Sequence, residues 1–286
     1  MAQTVPDKMR VIRTNKEMSQ ACREAVKPVG LVPTMGALHA GHLNLVDQAR
    51  ADNLTVAVSI FVNPTQFGDL KDLEKYPRDL EGDLEMLRDH GVDLVYVPTV
   101  DEVYPEGFDT WVDVGPLAEK LEGLHRPGHF RGVATVVAKL FNIIGPDNAY
   151  FGQKDGQQSI VIRKMVRDLD LGVEVVMVPT VRDRDGLALS SRNTYLTEEQ
   201  RRAAPVVYRA LQLADRLWQE GTTDGNRLRS ETRLVLASEA LIERIDYVSV
   251  ADAETLEELD TVKTRAMVSV AVQLGKPRLI DNIILE

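Results

Sequence analysis

The run Val56-Ala-Val-Ser-Ile-Phe-Val62 is apolar with almost no polar alternation. A strand with one solvated face alternates in and out of water, so a run of this kind belongs to a strand covered on both faces. That is the situation of a parallel sheet clothed by crossover helices. The neighbouring sequence agrees: short β-branched runs at 29–33, 55–62, 93–97, 149–151 and 173–178 alternate with amphipathic stretches at 16–26, 42–52, 80–90, 132–144 and 156–169. Strand and helix in strict alternation predict an α/β domain.

After about residue 180 the pattern changes. Thr197-Glu-Glu-Gln200 is a capping box that opens a helix expected to reach about residue 220, and Thr223 is the expected cap of a second helix ending near 238. Three β-rich runs follow at 245–250, 266–273 and 278–285, with Gly275-Lys-Pro277 as a turn between the last two. The predicted architecture is therefore a Rossmann-like doubly wound parallel sheet over residues 1–183 and a smaller C-terminal α+β domain over 184–286. A chain of 286 residues accommodates two such units.

Lys and Arg number 34 against 44 Asp and Glu, a formal charge of −10. That balance argues against nucleic acid or an anionic membrane as a partner and leaves room for one local basic pocket. The single cysteine, Cys22, can form neither an internal disulfide nor a Cys-based zinc site, and is expected to be a small buried filler in a reducing compartment. Residues 1–10 are polar and lack the apolar core of a signal peptide, and no run approaches the ~20 apolar residues of a membrane span. A soluble cytoplasmic protein is expected.

The strongest local signal is Gly30-Leu-Val-Pro-Thr-Met-Gly-Ala-Leu-His-Ala-Gly-His42. A buried strand leads through a Pro- and Gly-containing turn to two histidines at i and i+3, and then to a helical pattern through Leu45, Val46 and Ala49. Free N–H groups and the positive dipole end at such a helix start attract phosphate, and Gly41 allows close approach to the backbone. Two other uses of the histidines stay open on this string alone: a metal pair, although no third ligand stands at a recognised spacing, and ordinary capping and packing. Neither a Walker nor a dinucleotide glycine fingerprint is present.

Other segments are informative mainly in combination. Asn63-Pro-Thr-Gln-Phe67 follows a buried strand, so Asn63 and Gln66 stand where an open sheet binds ligands, although a Pro turn with solvated amides fits equally well. The polar stretch from Gly68 to Arg78 suits a lid or a plain solvated loop. Gly152-Gln-Lys-Asp155 offers Lys154 to a phosphate or to a surface ion pair. Leu189-Ser-Ser-Arg-Asn193 gathers two hydroxyls and a guanidinium, and Arg126-Pro-Gly-His-Phe-Arg131 is a basic turn with either a pocket or a structural role. His90, His125 and His129 receive no assignment.

The string His39-Ala-Gly-His42 resembles the signature of the nucleotidyltransferase and class I aminoacyl-tRNA synthetase superfamily. Five strings in order, Val32 to His42, Ser59 to Phe67, Arg126 to Gly132, Phe151 to Asp155 and Leu189 to Asn193, resemble the pantothenate synthetase family along essentially the whole chain. The resemblance implies a ligase that activates pantoate with ATP and Mg2+ as pantoyl adenylate and passes the acyl group to β-alanine, as a homodimer. It implies His42, His39, Lys154 and Arg192 as catalytic residues. It further implies ATP contacts from Met35, Gly36, Ala37, Leu38, His39, Ala40, Gly41 and His42, from Gly152, Gln153, Lys154 and Asp155, and from Val181, Leu189, Ser190, Ser191 and Arg192. Gln66, Gln158, Asn63 and Arg126 are implied for the substrates, and Asp83 for a water-mediated magnesium contact. Thr65, Gly82, Gln153 and Gly156 depart from the family pattern, and Gly82 weakens the magnesium assignment. Two rival expectations remain: a related nucleotidyltransferase that keeps AMP in its product, and a non-catalytic nucleotide-binding protein.

Overall fold

The computed structural model describes residues 9–286, apart from the side chain of Leu70. Strands β1 (Arg10–Ile12), β2 (Val29–Thr34), β3 (Thr55–Ile60), β4 (Leu94–Tyr96), β5 (Asn148–Gly152) and β6 (Glu174–Val178) form one sheet in the order β1-β4-β3-β2-β5-β6. Every pairing is parallel. All six residues of β3 are buried, as its unalternating sequence predicts. Strand β1 was not expected. It is three residues long at the sheet edge, with Arg10 and Val11 exposed, so it is too short to carry a periodic signal.

The helices follow the predicted alternation: α1 (Asn15–Glu24), α2 (Ala40–Asp52), α3 (Leu70–Lys75), α4 (Leu80–Asp89), α5 (Val100–Val103), α6 (Glu122–His125), α7 (His129–Ile144) and α8 (Gly156–Asp168). From β2 the chain builds outward through β3 and β4 on one side, then returns to place β5 and β6 on the other. The carboxyl ends of β2 and its neighbours are thus a topological switch point, where open α/β sheets bind ligands. One core cluster joins Val32, Val46, Val58, Leu87, Val95 and Tyr150.

The chain divides into two compact units. One takes the chain up to Gly152 together with Val161–Val178, and the other takes Gln153–Ile160 together with Pro179–Glu286. The second unit therefore includes a segment that a linear boundary at 183 assigns to the first. The reason is visible within that unit, where the Asn282 side chain in the last strand donates to the carbonyls of Gln153 and Lys154 at 2.8 and 2.9 Å.

In the second unit, α9 (Glu198–Ala203), α10 (Val206–Gln219) and α11 (Gly225–Ala237) precede the antiparallel sheet β7 (Arg244–Asp252), β8 (Ala266–Gln273) and β9 (Arg278–Leu285). Its core packs Val207, Leu211, Leu228 and Leu236 of the helices against Val250, Val268 and Val270 of the sheet. Two expectations are corrected. The long helix to about 220 is broken between α9 and α10 at Pro205, whose ring nitrogen has no hydrogen to give. The cap of α11 is Asp224 rather than Thr223, because its carboxylate accepts from the amides of both Asn226 and Arg227.

Cys22 is 2% exposed on α1, and burial pushes its thiol up to about 11, the nearby charges of Lys27 and Arg10 only partly opposing this. At pH 8 about 0.1% of such a thiol is ionised. Labelling with a chromogenic disulfide reagent is expected to be at least ~100-fold slower in the native protein than in denaturant; comparable rates would mean that α1 opens readily.

Candidate active site

Strand β2 ends at Thr34, and the chain turns through residues 35–38 before α2 begins. His39 is the N-cap of α2: its backbone is extended (φ −145°) and its Nδ1 accepts from the Gly41 amide at 3.1 Å. An accepting Nδ1 carries no proton, so the neutral ring bears its hydrogen on Nε2. His42, one turn into the helix, sets its ring centroid 4.2 Å from that of His39 with the planes tilted by 39°. Capping and ligand recognition are thus compatible uses of His39, one for each ring nitrogen.

The turn is held from below by α4. Asp83, 2% exposed, accepts from the amides of Ala37 at 2.9 Å and Leu38 at 2.7 Å, one on each carboxylate oxygen. The Gly36 amide donates to Thr34 Oγ1, which itself donates to the Ser59 carbonyl. Burial raises the Asp83 carboxyl above its ordinary range, and the two amide bonds offset this only in part. The structure therefore uses Asp83 to organise the loop of Gly36, Ala37 and Leu38. Each of its oxygens accepts one backbone amide in that task. The adjacent Gly82 donates its amide to the cap residue Asp79.

Gln66 closes a single 3-10 turn, Pro64–Gln66, after β3. Its side chain is held at both ends, Nε2 donating to Met35 Sδ at 3.0 Å and Oε1 accepting from Asn63 Nδ2 at 3.0 Å. Asn63 is 1% exposed and also donates to the Gly132 carbonyl, while its Oδ1 accepts from the Thr65 amide, the Thr65 hydroxyl and the Tyr104 hydroxyl. Both of its amide hydrogens are therefore used inside the protein, so Asn63 positions Gln66 and has no donor left for a ligand. The turn lies directly on α7, where a Cβ at Gly132 would stand 2.5 Å from the Thr65 carbonyl oxygen. Only glycine permits that approach.

Beneath the same turn, His129 Nδ1 donates to the Gln66 carbonyl at 2.8 Å, and Arg126 donates to His129 Nε2 at 3.1 Å and to the same carbonyl at 3.4 Å. The motif from Arg126 to Arg131 thus supports Gln66 from the start of α7. Sequence reasoning assigns His129 no part. Its signal lies in the preceding Pro127-Gly128, which turns the chain through a left-handed Gly128 and drives the next side chain inward. Between Phe67 and Asp83 the expected lid segment carries the short helix α3, with the Phe67 and Tyr76 rings in edge contact.

In the second unit, Lys154 and Arg192 line one pocket together with Ser190, Tyr208, Arg278 and Asp281. Lys154 follows Gln153 in a 3-10 turn, with Asp155 Oδ1 3.6 Å from its Nζ. Arg192 lies in a 3-10 turn capped by the Ser190 hydroxyl, and its guanidinium has no ion-pair or hydrogen-bond partner among the described residues. Arg278 is instead neutralised by Asp246 at a bulge in β7, whose side chain is buried and whose carboxyl burial would raise but Arg244 and Arg278 hold below the usual range. The Leu189 amide donates to the Val181 carbonyl, which closes the 181–189 hairpin just before Ser190. Gln158, half-buried, and Gln157, 5% exposed, lie in the first turn of α8. An overall acidic protein thus collects two cations at one local pocket, an arrangement suited to a polyanion.

Among the described residues, no group of three or more His, Cys, Asp or Glu could hold a metal ion. No helix of the described residues is long and apolar enough to cross a membrane.

Comparison with known proteins shows the family of the chain. A family model described as pantoate-beta-alanine ligase matches residues 9–284. The chain is 56% identical over 278 residues to the pantothenate synthetase of Roseiflexus sp. (strain RS-1), covering 97% of this chain and 100% of that protein. It is 58% identical over 279 residues to that of Chloroflexus aurantiacus, covering 97% and 99%. The crystal structure of pantothenate synthetase from Thermus thermophilus superposes with a TM-score of 0.91 at 49% identity, covering 96% of this chain and 99% of that one. The pantoate-beta-alanine ligase of Francisella tularensis, solved with a β,γ-ATP compound and β-alanine, gives 0.78 at 34% identity over 97% and 98% of the two chains.

Proposed function

The chain belongs to the pantoate-beta-alanine ligase family, and from that premise we propose that it condenses pantoate with β-alanine at the expense of ATP, with His42, His39, Lys154 and Arg192 carrying the chemistry. The observation that supports this most directly is the continuity of the match from residue 9 to 284 together with a paired-histidine helix start at the sheet's switch point. In the first half-reaction a pantoate carboxylate oxygen attacks the α-phosphorus of ATP, the bond to the bridging oxygen breaks, and pyrophosphate leaves. Pantoyl adenylate results. The unprotonated amine of β-alanine then attacks the acyl carbon, the carbon–oxygen bond to phosphate breaks, the nitrogen loses one proton to solvent, and AMP leaves as the amide forms.

Phosphoryl transfer of this kind needs positioning and charge neutralisation more than covalent help. His42 is assigned the hydrogen bond to the oxygen on which charge builds as pyrophosphate departs, and His39 contacts the phosphates through Nε2 while its Nδ1 caps α2. Lys154 and Arg192 offset the negative charge, supported by their shared pocket and the open guanidinium of Arg192. The backbone of Met35 to Gly41, of Gly152 to Asp155 and of Val181 and Leu189 to Ser191 is assigned to the nucleotide. Gln66 is assigned to pantoate, with Asn63, His129 and Arg126 holding it in place and Gln158 as a second substrate contact.

Magnesium is taken to enter as Mg·ATP. Phosphate oxygens and water would hold the ion, Asp83 could meet it only through water while its two oxygens accept the loop amides, and no step is assigned to it. The same family reading carries a homodimer and a cytoplasmic setting.

The test is exchange of labelled pyrophosphate into ATP without β-alanine. Exchange is expected with pantoate and absent without it. Exchange only with a different acid would keep the acyl-adenylate chemistry and overturn the substrate. Products that retain AMP would point instead to a transferase.

A further inference from the structure

The two phosphate-directed cations of the second unit are tied to adjacent residues of the last strand. Asn282 of β9 donates both hydrogens of its side-chain amide to the turn that carries Lys154, at 2.8 Å to the Gln153 carbonyl and 2.9 Å to the Lys154 carbonyl. The residue is 3% exposed, and its Oδ1 is buried with no hydrogen-bond partner among the described residues. That asymmetry sets the orientation of the amide, since a flip would place the oxygen against two carbonyls. Gly156 makes room for it: a Cβ there would stand 3.0 Å from Asn282 Nδ2 and 2.7 Å from Met267 Sδ. The departure from the family pattern at Gly156 thus falls at the residue packed on this amide.

Asp281, the preceding residue, faces the second loop. Its carboxylate takes both terminal nitrogens of Arg182, at 2.5 and 3.0 Å, and accepts from the backbone N–H of Asn282 at 2.8 Å. Arg182 also donates to the Gly186 carbonyl and lies 3.8 Å over the ring of Tyr208. It pairs with Ala188 across a tight hairpin, and the Asn193 side chain donates to the Ala188 carbonyl. The hairpin runs directly into Ser190, Ser191 and Arg192. One dipeptide on a buried strand therefore sets the bases of the two loops that present Lys154 and Arg192 to one pocket.

We infer that Asp281 and Asn282 are positioning residues for adenylation, Asn282 acting through Lys154 and Asp281 acting through the Arg182 hairpin on Arg192. This rests on the function proposed above. Neither residue needs to meet a substrate. A bidentate, partly buried pair and a doubly donating amide have little freedom to shift, so the two cations are held before the nucleotide arrives.

The experiment compares pantoate-dependent ATP–pyrophosphate exchange in the wild type, Asn282→Ala, Lys154→Ala and the double variant, with thermal melting of each. Asn282→Ala is expected to lower kcat by about ten- to hundredfold while the KM for pantoate stays within about twofold. Because Asn282 acts through Lys154, the double variant is expected to be no slower than Lys154→Ala alone. Full activity in Asn282→Ala, or losses that multiply in the double variant, overturns the inference. If Asn282→Ala fails to fold, the near-isosteric Asp281→Asn paired with Arg192→Ala carries the same comparison. Mg·ATP affinity by calorimetry is read on every variant and is expected to follow the same non-additive pattern. A wild type that binds Mg·ATP but shows no exchange would therefore overturn the proposed function alone, while the affinity cycle still decides the positioning role.

Discussion

His42→Ala is expected to lower pantoate-dependent ATP–pyrophosphate exchange by about a hundredfold or more, the loss typical of one preorganised donor aimed at developing charge, or about 3 kcal/mol. The expectation follows from where His42 stands. It is one turn inside α2, half-buried, with its ring against that of the capping His39, and its amide donates to the His39 carbonyl at 2.8 Å. Removing the imidazole leaves those backbone bonds in place, and alanine is a better helix former than histidine. The melting temperature should therefore change little while the chemical step collapses. His39→Ala is the contrasting control, because loss of the Nδ1 cap adds a stability cost of about 1 kcal/mol. The second half-reaction, followed with supplied pantoyl adenylate and β-alanine, should suffer less than the first, since no pyrophosphate departs in it. Near-normal exchange by a folded His42→Ala protein would remove the residue from catalysis.

Asp83→Ala is expected to be the most damaging substitution to stability and activity together. It leaves the amides of Ala37 and Leu38 without their acceptor in a buried place, at about 1–3 kcal/mol for each unsatisfied group. Against a total stability of roughly 5–15 kcal/mol this is a large fraction. It also releases the loop that delivers His39 to the start of α2. Asp83→Asn should be intermediate, because the carboxamide can accept through one oxygen but presents N–H to the other amide. Denaturant melts and exchange assays on the two variants should rank wild type, Asn and Ala in that order for both quantities. If Asp83 served mainly to ligate magnesium, activity in both variants would recover at raised magnesium with stability unchanged, which is the opposite expectation.

The sheet was legible because burial on both faces writes itself into consecutive residues. The run from Val56 to Val62 needed no partner to be recognised, and the predicted strands 266–273 and 278–285 coincide with β8 and β9. Where a residue's conformation depends on a single competing local group, the pattern misled. Thr197 opened its helix as expected, but Pro205 ended the continuity, and Asp224 outcompeted Thr223 as a cap by offering two amides an acceptor. Strand β1 escaped notice because three edge residues show no period.

The candidate site was legible as residue types and order rather than as tasks. His39, His42, Gln66, Lys154 and Arg192 could be named from their strings, because strand ends, glycine turns and helix starts are local features. Asp83, Asn63 and His129 acquired their tasks only from partners far along the chain. The Asp83 carboxylate meets Ala37 across 46 residues, His129 meets Gln66 across 63, and Asn282 meets Lys154 across 128. No periodicity or spacing rule encodes such pairings, since they depend on which elements the sheet order brings together.

By itself, then, the sequence determined a doubly wound parallel sheet, a smaller α+β companion and a family-wide chemistry, all of which rest on burial patterns and contiguous strings. Tertiary structure alone decided that Asp83 supports a loop, that Asn63 and His129 hold Gln66, and that Asp281 and Asn282 of the last strand bond to Arg182 and to the turn of Lys154. A buried polar group must find its hydrogen-bond partner wherever folding places one, and that requirement is met in space rather than along the chain.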